Sequence, residues 1–239
     1  MCQLLALSAR TPQPLTPFLP EFFARGGVTD RHADGWGAAF FEPGSESSPT
    51  LFREELPAGR SEAARALAER SIRARTAFAH VRAASVEPPA LANTHPFSRS
   101  SWGREVVFAH NGWLKDCGVG ISAPLPEAYR PRGRTDSEYA FGRLMMDLEA
   151  CHPDLPSIEE MTRTLARTAR ELAGHGNLNM VLSDGRALWA RCADDLWLGR
   201  SAEGAAIVAT APLAAGSDWK PLEKGRVRAF VDGEAVFEA

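Results

Sequence analysis

Basic residues are not in excess in this chain. Its 239 residues include 27 Lys or Arg against 30 Asp or Glu, a net charge of −3. That leaves no basic footprint, and nucleic acid is not expected as a partner. Long apolar runs are also missing. Nothing approaches the roughly 20 residues that a membrane-spanning helix needs, so no membrane partner is expected. Met1 to Ala9 is apolar, but it lacks a basic leading region and a small-residue cleavage site, and Arg10 and the following prolines end it. It does not read as a signal peptide.

Cysteine is scarce. Cys2, Cys117, Cys151 and Cys192 are far apart, with no C-x-x-C pair. The spacing suggests neither a zinc site nor a disulfide framework, and a reducing cytoplasm is the simplest setting. The histidines are scattered too. His32-x-Asp34 and His80-x-Arg82 read as strand-end residues rather than as metal ligands, so no metal and no cofactor is expected. Repeats, low-complexity segments and linkers are absent. What remains is an ordinary globular composition, 44% hydrophobic and 24% charged, and it is read as one domain over residues 1–239.

The pattern alternates strands and helices, then becomes all strand. Gln3 to Leu7 reads as a buried first strand, and Pro12, Pro14 and Pro17 as a turn. Phe18 to Arg25 reads as a short helix. Arg31-His32-Ala33-Asp34-Gly35-Trp36-Gly37 leads into a strand through Phe41, with glycines that permit close approach of another chain or a ligand. Pro43 to Pro49 is a hairpin loop. Ser61 caps a helix expected over Glu62 to Arg73, and Thr76 to Arg82 is a buried strand with a polar end. Val86 to Pro89 turns the chain. Val106 to Gly112 is a strand expected to stop at Asn111-Gly112, itself a turn signal. Lys115 to Arg134 is a long loop, read as a cover over a site. Thr135 with Glu138, and Ser157 with Glu160, match capping boxes ahead of two amphipathic helices. Asn179–Ser183, Ala187–Arg191, Ala205–Ala209, Val227–Val231 and Glu234–Phe237 then read as strands, with hairpin turns at Asp184-Gly185 and Asp232-Gly233. Two antiparallel sheets between helix layers accommodate this order, an α+β fold.

Cys2 draws the chemistry together. Removal of Met1 would leave a thiol and an α-amino group on one residue. The free groups titrate near 8.5 and 7.7–8.0, so a neutral amine can take the thiol proton close to neutral pH. Alone, Cys2 reads as an ordinary small apolar residue opening a strand.

Five segments in order change that reading. Met1-Cys2, His80-Val81-Arg82, Asn93-Thr94-His95-Pro96-Phe97, His110-Asn111-Gly112 and Thr135-Asp136-Ser137-Glu138 resemble the motifs of class II glutamine amidotransferases, the N-terminal-cysteine type. The resemblance spans nearly the whole chain. It is nearest to a short stand-alone branch that includes the γ-glutamyl amidohydrolase of ergothioneine biosynthesis. The His-Ala-Asp-Gly-Trp-Gly segment, Asn177-Leu178-Asn179 and Leu182-Ser183-Asp184-Gly185 also look like that branch. The resemblance implies a four-layer αββα N-terminal-nucleophile hydrolase sandwich. It implies Cys2 as nucleophile, with Asn111 and the Gly112 N–H as oxyanion donors. Arg82 would pair with the α-carboxylate of a γ-glutamyl substrate and Asp136 with its α-ammonium. Ser85, Thr94 and His95 stand where the family contacts glutamate or orders the pocket. Ala83 and Ala84 follow Arg82 where larger residues are usual, and Ser85 stands where Thr is frequent, so the leaving-group side of the pocket differs.

Three functions fit. The first is hydrolysis of a γ-glutamyl amide, either glutamine or a larger γ-glutamyl compound. The second is a glutaminase subunit that hands ammonia to a separate synthase subunit. The third is a silent module that binds a glutamate-like ligand, which would not need Cys2, Asn111 and Gly112 together.

Overall fold

A computed structural model of the protein describes residues 2–84, 88–117 and 124–239. In chain order it contains β1 (Gln3–Pro14), α1 (Leu19–Ala24), β2 (Trp36–Phe41), β3 (Thr50–Glu54), α2 (Glu62–Glu69), β4 (Arg73–Val81), β5 (Phe97–Ser101) and β6 (Arg104–Leu114). Then come α3 (Asp136–Cys151), α4 (Ile158–Ala173), β7 (Gly176–Ser183), β8 (Leu188–Arg191), β9 (Trp197–Arg200), β10 (Ala206–Ala209), β11 (Ser217–Pro221), β12 (Val227–Val231) and β13 (Glu234–Glu238). The strands form two sheets, ordered β11-β9-β10-β1-β4-β2-β3 and β13-β12-β8-β7-β6-β5.

Side-chain alternation along the strands builds three separate cores. Leu5 and Leu7 of β1, with Trp36, Ala38 and Phe40 of β2, face Phe22 and Leu67 of α1 and α2. Leu4, Ala6, Ala39, Phe41 and Phe78 face the other way and meet Val107, Ala109, Val181 and Leu188 of the second sheet. On the far side, Phe108, Met180, Leu182 and Trp189 pack under Phe141, Leu144, Met161 and Leu165 of α3 and α4. The result is a four-layer αββα sandwich. Helix starts follow the sequence. Ser61 Oγ accepts the Ala64 N–H, and Ser157 with Glu160 forms the full capping box. Thr135 Oγ1 accepts the Glu138 N–H, whereas the Glu138 carboxylate turns to the Gly133 N–H.

Three boundaries differ from the sequence reading. β1 does not end before the prolines. After a register shift it pairs with β4 again, Gln13 opposite Ala74 and Pro14 opposite Arg73, since an irregular strand end tolerates a missing N–H. α2 ends at Glu69, because Arg73 is already the first residue of β4, and Ile72 lies in the connection. β6 does not stop at Asn111-Gly112. It continues to Leu114 in unbroken register with β7, from Val107 opposite Ser183 to Leu114 opposite Gly176. Long-range pairing overrides the local turn preference there. The strands β5, β9 and β11 carry little apolar periodicity and escaped the reading. The turn expected at Val86 to Pro89 falls partly outside the described residues, as does the loop expected from Lys115 to Arg134.

Phe78 is fully buried where the two sheets meet. Phe78→Ala is expected to lower unfolding free energy by about 3–5 kcal/mol. Urea denaturation should show an earlier midpoint with an unchanged slope.

Candidate active site

Cys2 immediately precedes β1. Gln3 lies opposite Val81, so Cys2 sits beside the segment that leaves β4, Arg82-Ala83-Ala84. The Ala83 N–H donates to Cys2 Sγ at 3.4 Å, and the thiol lies 3.6 Å from the Ala83 carbonyl. Burial pushes the thiol above its usual pKa; the Ala83 N–H and the Arg82 charge pull it down, and Asp136 pushes it up. Arg82 and Asp136, far apart in sequence, therefore both act on the same sulfur.

The segment after β4 is held by the approach to β2. The Arg82 N–H donates to the Gly35 carbonyl at 2.8 Å and the Asp34 N–H to the Arg82 carbonyl at 3.0 Å. Arg82 Nη1 donates to the carbonyls of Asp34 and Pro88, at 3.2 and 3.3 Å. The Asp34 carboxylate accepts the Ala84 N–H at 2.8 Å. Gly35 adopts φ of +123°, a conformation that favours glycine. A Cβ at Gly35 would lie 3.0 Å from Thr94 Oγ1, and one at Gly37 would lie 2.2 Å from the His95 carbonyl. The close approach that these glycines permit is thus to the chain itself, at Thr94-His95.

Asn111 and Gly112 come from the second sheet. Asn111 shares its strand face with Val107 and Ala109, which line the inter-sheet core, so it faces the sheet that carries Cys2. It is 4% exposed, and its Oδ1 has no hydrogen-bond partner among the described residues. Its carbonyl accepts from Asn179 Nδ2 at 3.1 Å, and Asn179 Oδ1 accepts the N–H groups of Ala193 and Asp194. A Cβ at position 112 would lie 1.9 Å from the Asn177 carbonyl, so only glycine fits. Asp136 is the first residue of α3. Its Oδ2 accepts the Leu114 N–H at 2.7 Å and its Oδ1 the Ser137 N–H at 2.8 Å. The strand that carries Asn111 therefore also fixes Asp136.

Histidines tie the two sheets together. His80 Nε2 donates to the His110 carbonyl at 3.2 Å. His110 Nε2 donates to the Asn177 carbonyl and its Nδ1 accepts from Ser137 Oγ, both at 2.9 Å. His95 packs at a tilt against His80 and Phe97, with ring centroids 4.2 and 4.4 Å apart. Burial holds His80 down to about 3 and His95 well below the usual range, so both rings are neutral.

The sequence-selected residues thus fall into two groups. The charges of Arg82 and Asp136 both act on the Cys2 thiol, and Asn111 and Gly112 lie on the strand whose Leu114 N–H holds Asp136. Thr94 and His95 are buried behind them. Thr94 donates to the Ala90 carbonyl at 2.9 Å, and His95 is enclosed by rings. Ser85 lies outside the described residues. Sequence reasoning left Asp34 and Asn179 without roles, although both stood in segments that had been noticed; only their long-range bonds show what they hold. Among the described residues no group of His, Cys, Asp or Glu is arranged to hold a metal ion. Cys117 is near Asp136, but burial first, then Asp136 and Asp116, raise its thiol to about 11.

Two antiparallel sheets between paired helix layers are the N-terminal-nucleophile hydrolase architecture. Residues 1–202 match the family model of class-II glutamine amidotransferases, and the chain belongs to that family of enzymes. It is 33% identical to "Putative glutamine amidotransferase YafJ" of Escherichia coli strain K12, over 99% of this chain and 100% of the relative. It is 31% identical to "Putative glutamine amidotransferase" of Haemophilus influenzae, over 100% of this chain and 87% of the relative. A crystal structure of a "predicted glutamine amidotransferase" from Pseudomonas aeruginosa superposes with a TM-score of 0.75 at 29% identity, covering 99% of this chain and 100% of that one. The glutamine phosphoribosylpyrophosphate amidotransferase of B. subtilis shares the fold, with a TM-score of 0.69 at 12% identity, covering 100% of this chain and 49% of that one.

The neutral, buried His80 has a pH consequence. Its folded-state pKa of about 3 lies below the roughly 6.5 of an unfolded histidine. Between these values the unfolded chain takes up a proton that the folded chain refuses. The stability present above about pH 6.5 is lost as pH falls, by up to about 1.4 kcal/mol per pH unit for this group. His80→Gln, which keeps a donor but does not titrate, is expected to flatten the stability profile between about pH 6.5 and pH 4 by that amount, read by urea denaturation.

Proposed function

We propose that this enzyme hydrolyses a γ-glutamyl amide, glutamine or a larger γ-glutamyl compound, through a thioester on Cys2. The observation that carries the reading is the setting of the Cys2 thiol. It takes the Ala83 N–H, and the charges of Arg82 and Asp136 act on it with opposite sign. A γ-glutamyl group has matching charges at its amino-acid end. Arg82 takes the α-carboxylate and Asp136 the α-ammonium. Both Asp136 oxygens already accept an N–H, and Oδ1 also lies 3.4 Å from Ser137 Oγ, which fixes the carboxylate and leaves Oδ2 a lone pair for the ligand. With its charged end held, the γ-amide carbon is aimed at Cys2.

Once Met1 is removed, the α-amino group of Cys2 takes the thiol proton. The sulfur bonds to the carbonyl carbon of the γ-amide, and the carbonyl oxygen becomes an oxyanion held by Asn111 Nδ2 and the Gly112 N–H. The C–N bond breaks as the ammonium returns its proton to the leaving nitrogen. Water then adds to the thioester, the C–S bond breaks, and glutamate leaves with the thiol restored. Thr94 and His95 act from behind, by packing against Gly35 and Gly37.

The test is glutamate release by purified protein, offered glutamine, γ-glutamyl dipeptides and γ-glutamyl thiol conjugates. Cys2→Ala should abolish release from every substrate while leaving the fold intact; retained turnover overturns the reading. Asn111→Ala should lower kcat by about 10²–10³-fold. Arg82→Ala should chiefly raise KM, by about tenfold or more, through loss of a charge-assisted bond. Glutamine as preferred substrate would mark an ammonia supplier to a separate synthase subunit; a bulky conjugate would mark a small-molecule hydrolase.

A further inference from the structure

We infer that Asp34 is a positioning residue for this reaction, setting the donor at the Cys2 sulfur. The inference rests on the reading of Cys2 as nucleophile. Arg82, Ala83 and Ala84 lie just past the last residue of β4, beyond the reach of its ladder. Most of their bonds go instead to Asp34, Gly35 and Cys2. The Arg82 N–H and carbonyl bond Gly35 and Asp34, and the Arg82 guanidinium bonds the Asp34 carbonyl. The next N–H, from Ala83, bonds Cys2 Sγ. The one after, from Ala84, ends on the Asp34 carboxylate.

The Ala83 peptide is therefore clamped on both sides. Arg82 holds it through backbone bonds that any residue at position 34 would make. On the other side, among the described residues, the side chain at 34 holds the Ala84 N–H and the Ala83 carbonyl meets the Cys2 thiol itself. An N–H to carboxylate bond is among the stronger ones available to a loop. Asp34 is itself held, because its N–H donates to the Arg82 carbonyl and its carbonyl accepts from the Arg82 guanidinium. Without the carboxylate, Ala84 loses its anchor, and the Ala83 N–H is free to turn away from the sulfur. The thiolate then loses a hydrogen bond that favours its charged form.

What the carboxylate supplies is an acceptor at one place, so the conservative variant should rescue it. Asp34→Asn keeps an amide oxygen for the Ala84 N–H; Asp34→Ala and Asp34→Ser do not reach. The charged groups acting on the sulfur are Arg82, Asp136 and the amino terminus, and all three variants leave them in place.

The first readout is the rate of iodoacetamide alkylation of Cys2 against pH, followed by mass spectrometry. It needs no turnover, so it tests Asp34 even if glutamate release fails. Asp34→Ala is expected to move the midpoint up by about one pH unit, with Asp34→Asn close to wild type. The second readout is kcat for the preferred γ-glutamyl substrate, expected to fall about tenfold in Asp34→Ala and little in Asp34→Asn, with KM unmoved because Arg82 keeps its bonds to the backbone of residue 34. Should Asp34→Ala fail to fold, Asp34→Ser carries the same expectations. An unmoved midpoint in the alanine or serine variant overturns the inference. So does an Asp34→Asn variant as impaired as Asp34→Ala, because charge rather than an acceptor would then be at work. A role confined to stability would lower the melting temperature and leave both readouts unchanged.

Discussion

One hydrogen bond between the two sheets sets the geometry on which the site depends. His80, in the strand beside β1, reaches across the inter-sheet core and donates to the carbonyl of His110. His80 lies opposite Leu4, two residues from Cys2, and His110 directly precedes Asn111. The residues that meet at the candidate site belong to sheets that share no strand. Apolar packing alone would let one sheet slide on the other with little change in buried area, since that force is non-directional. A directional bond between buried partners sets the relation instead, and leaving either partner unmatched there would be costly.

The same burial works against the chemistry. Removing water raises the Cys2 thiol and neutralises His80 and His95. A thiol in that setting needs a base beside it and donors aimed at the sulfur. On the proposed mechanism the α-amino group of Cys2 is the base and the Ala83 N–H the donor. Asp136 raises the same thiol, so a ligand ammonium paired with Asp136 would relieve that effect. Binding of the substrate's charged end and activation of the sulfur would then be linked.

Much of this was legible in the sequence because the signals were local. Ser157 and Glu160 lie three residues apart and satisfy each other. The amphipathic stripe of α4 needs no knowledge of its partner. Cys2, Arg82, Asn111 and Asp136 could be picked out because each stood in a short motif and the motifs came in order. The errors share a cause. Asn111-Gly112 is a turn by local preference, but eight paired residues of β7 keep it extended. The strands β5, β9 and β11 are ordered by their neighbours rather than by their own composition.

By itself, then, the sequence determined the alternation of strands and helices, the caps, and the residue types that reach the site. These follow from propensities and periodicities that act over a few positions. Only the tertiary structure decided that Asp34 anchors Ala84, that Thr94 sits under Gly35, and that His80 bonds the strand carrying Asn111. Each of these joins residues between about 30 and 60 positions apart. No local rule encodes them, because they exist only once apolar burial has stacked the layers and left particular N–H and C=O groups facing one another.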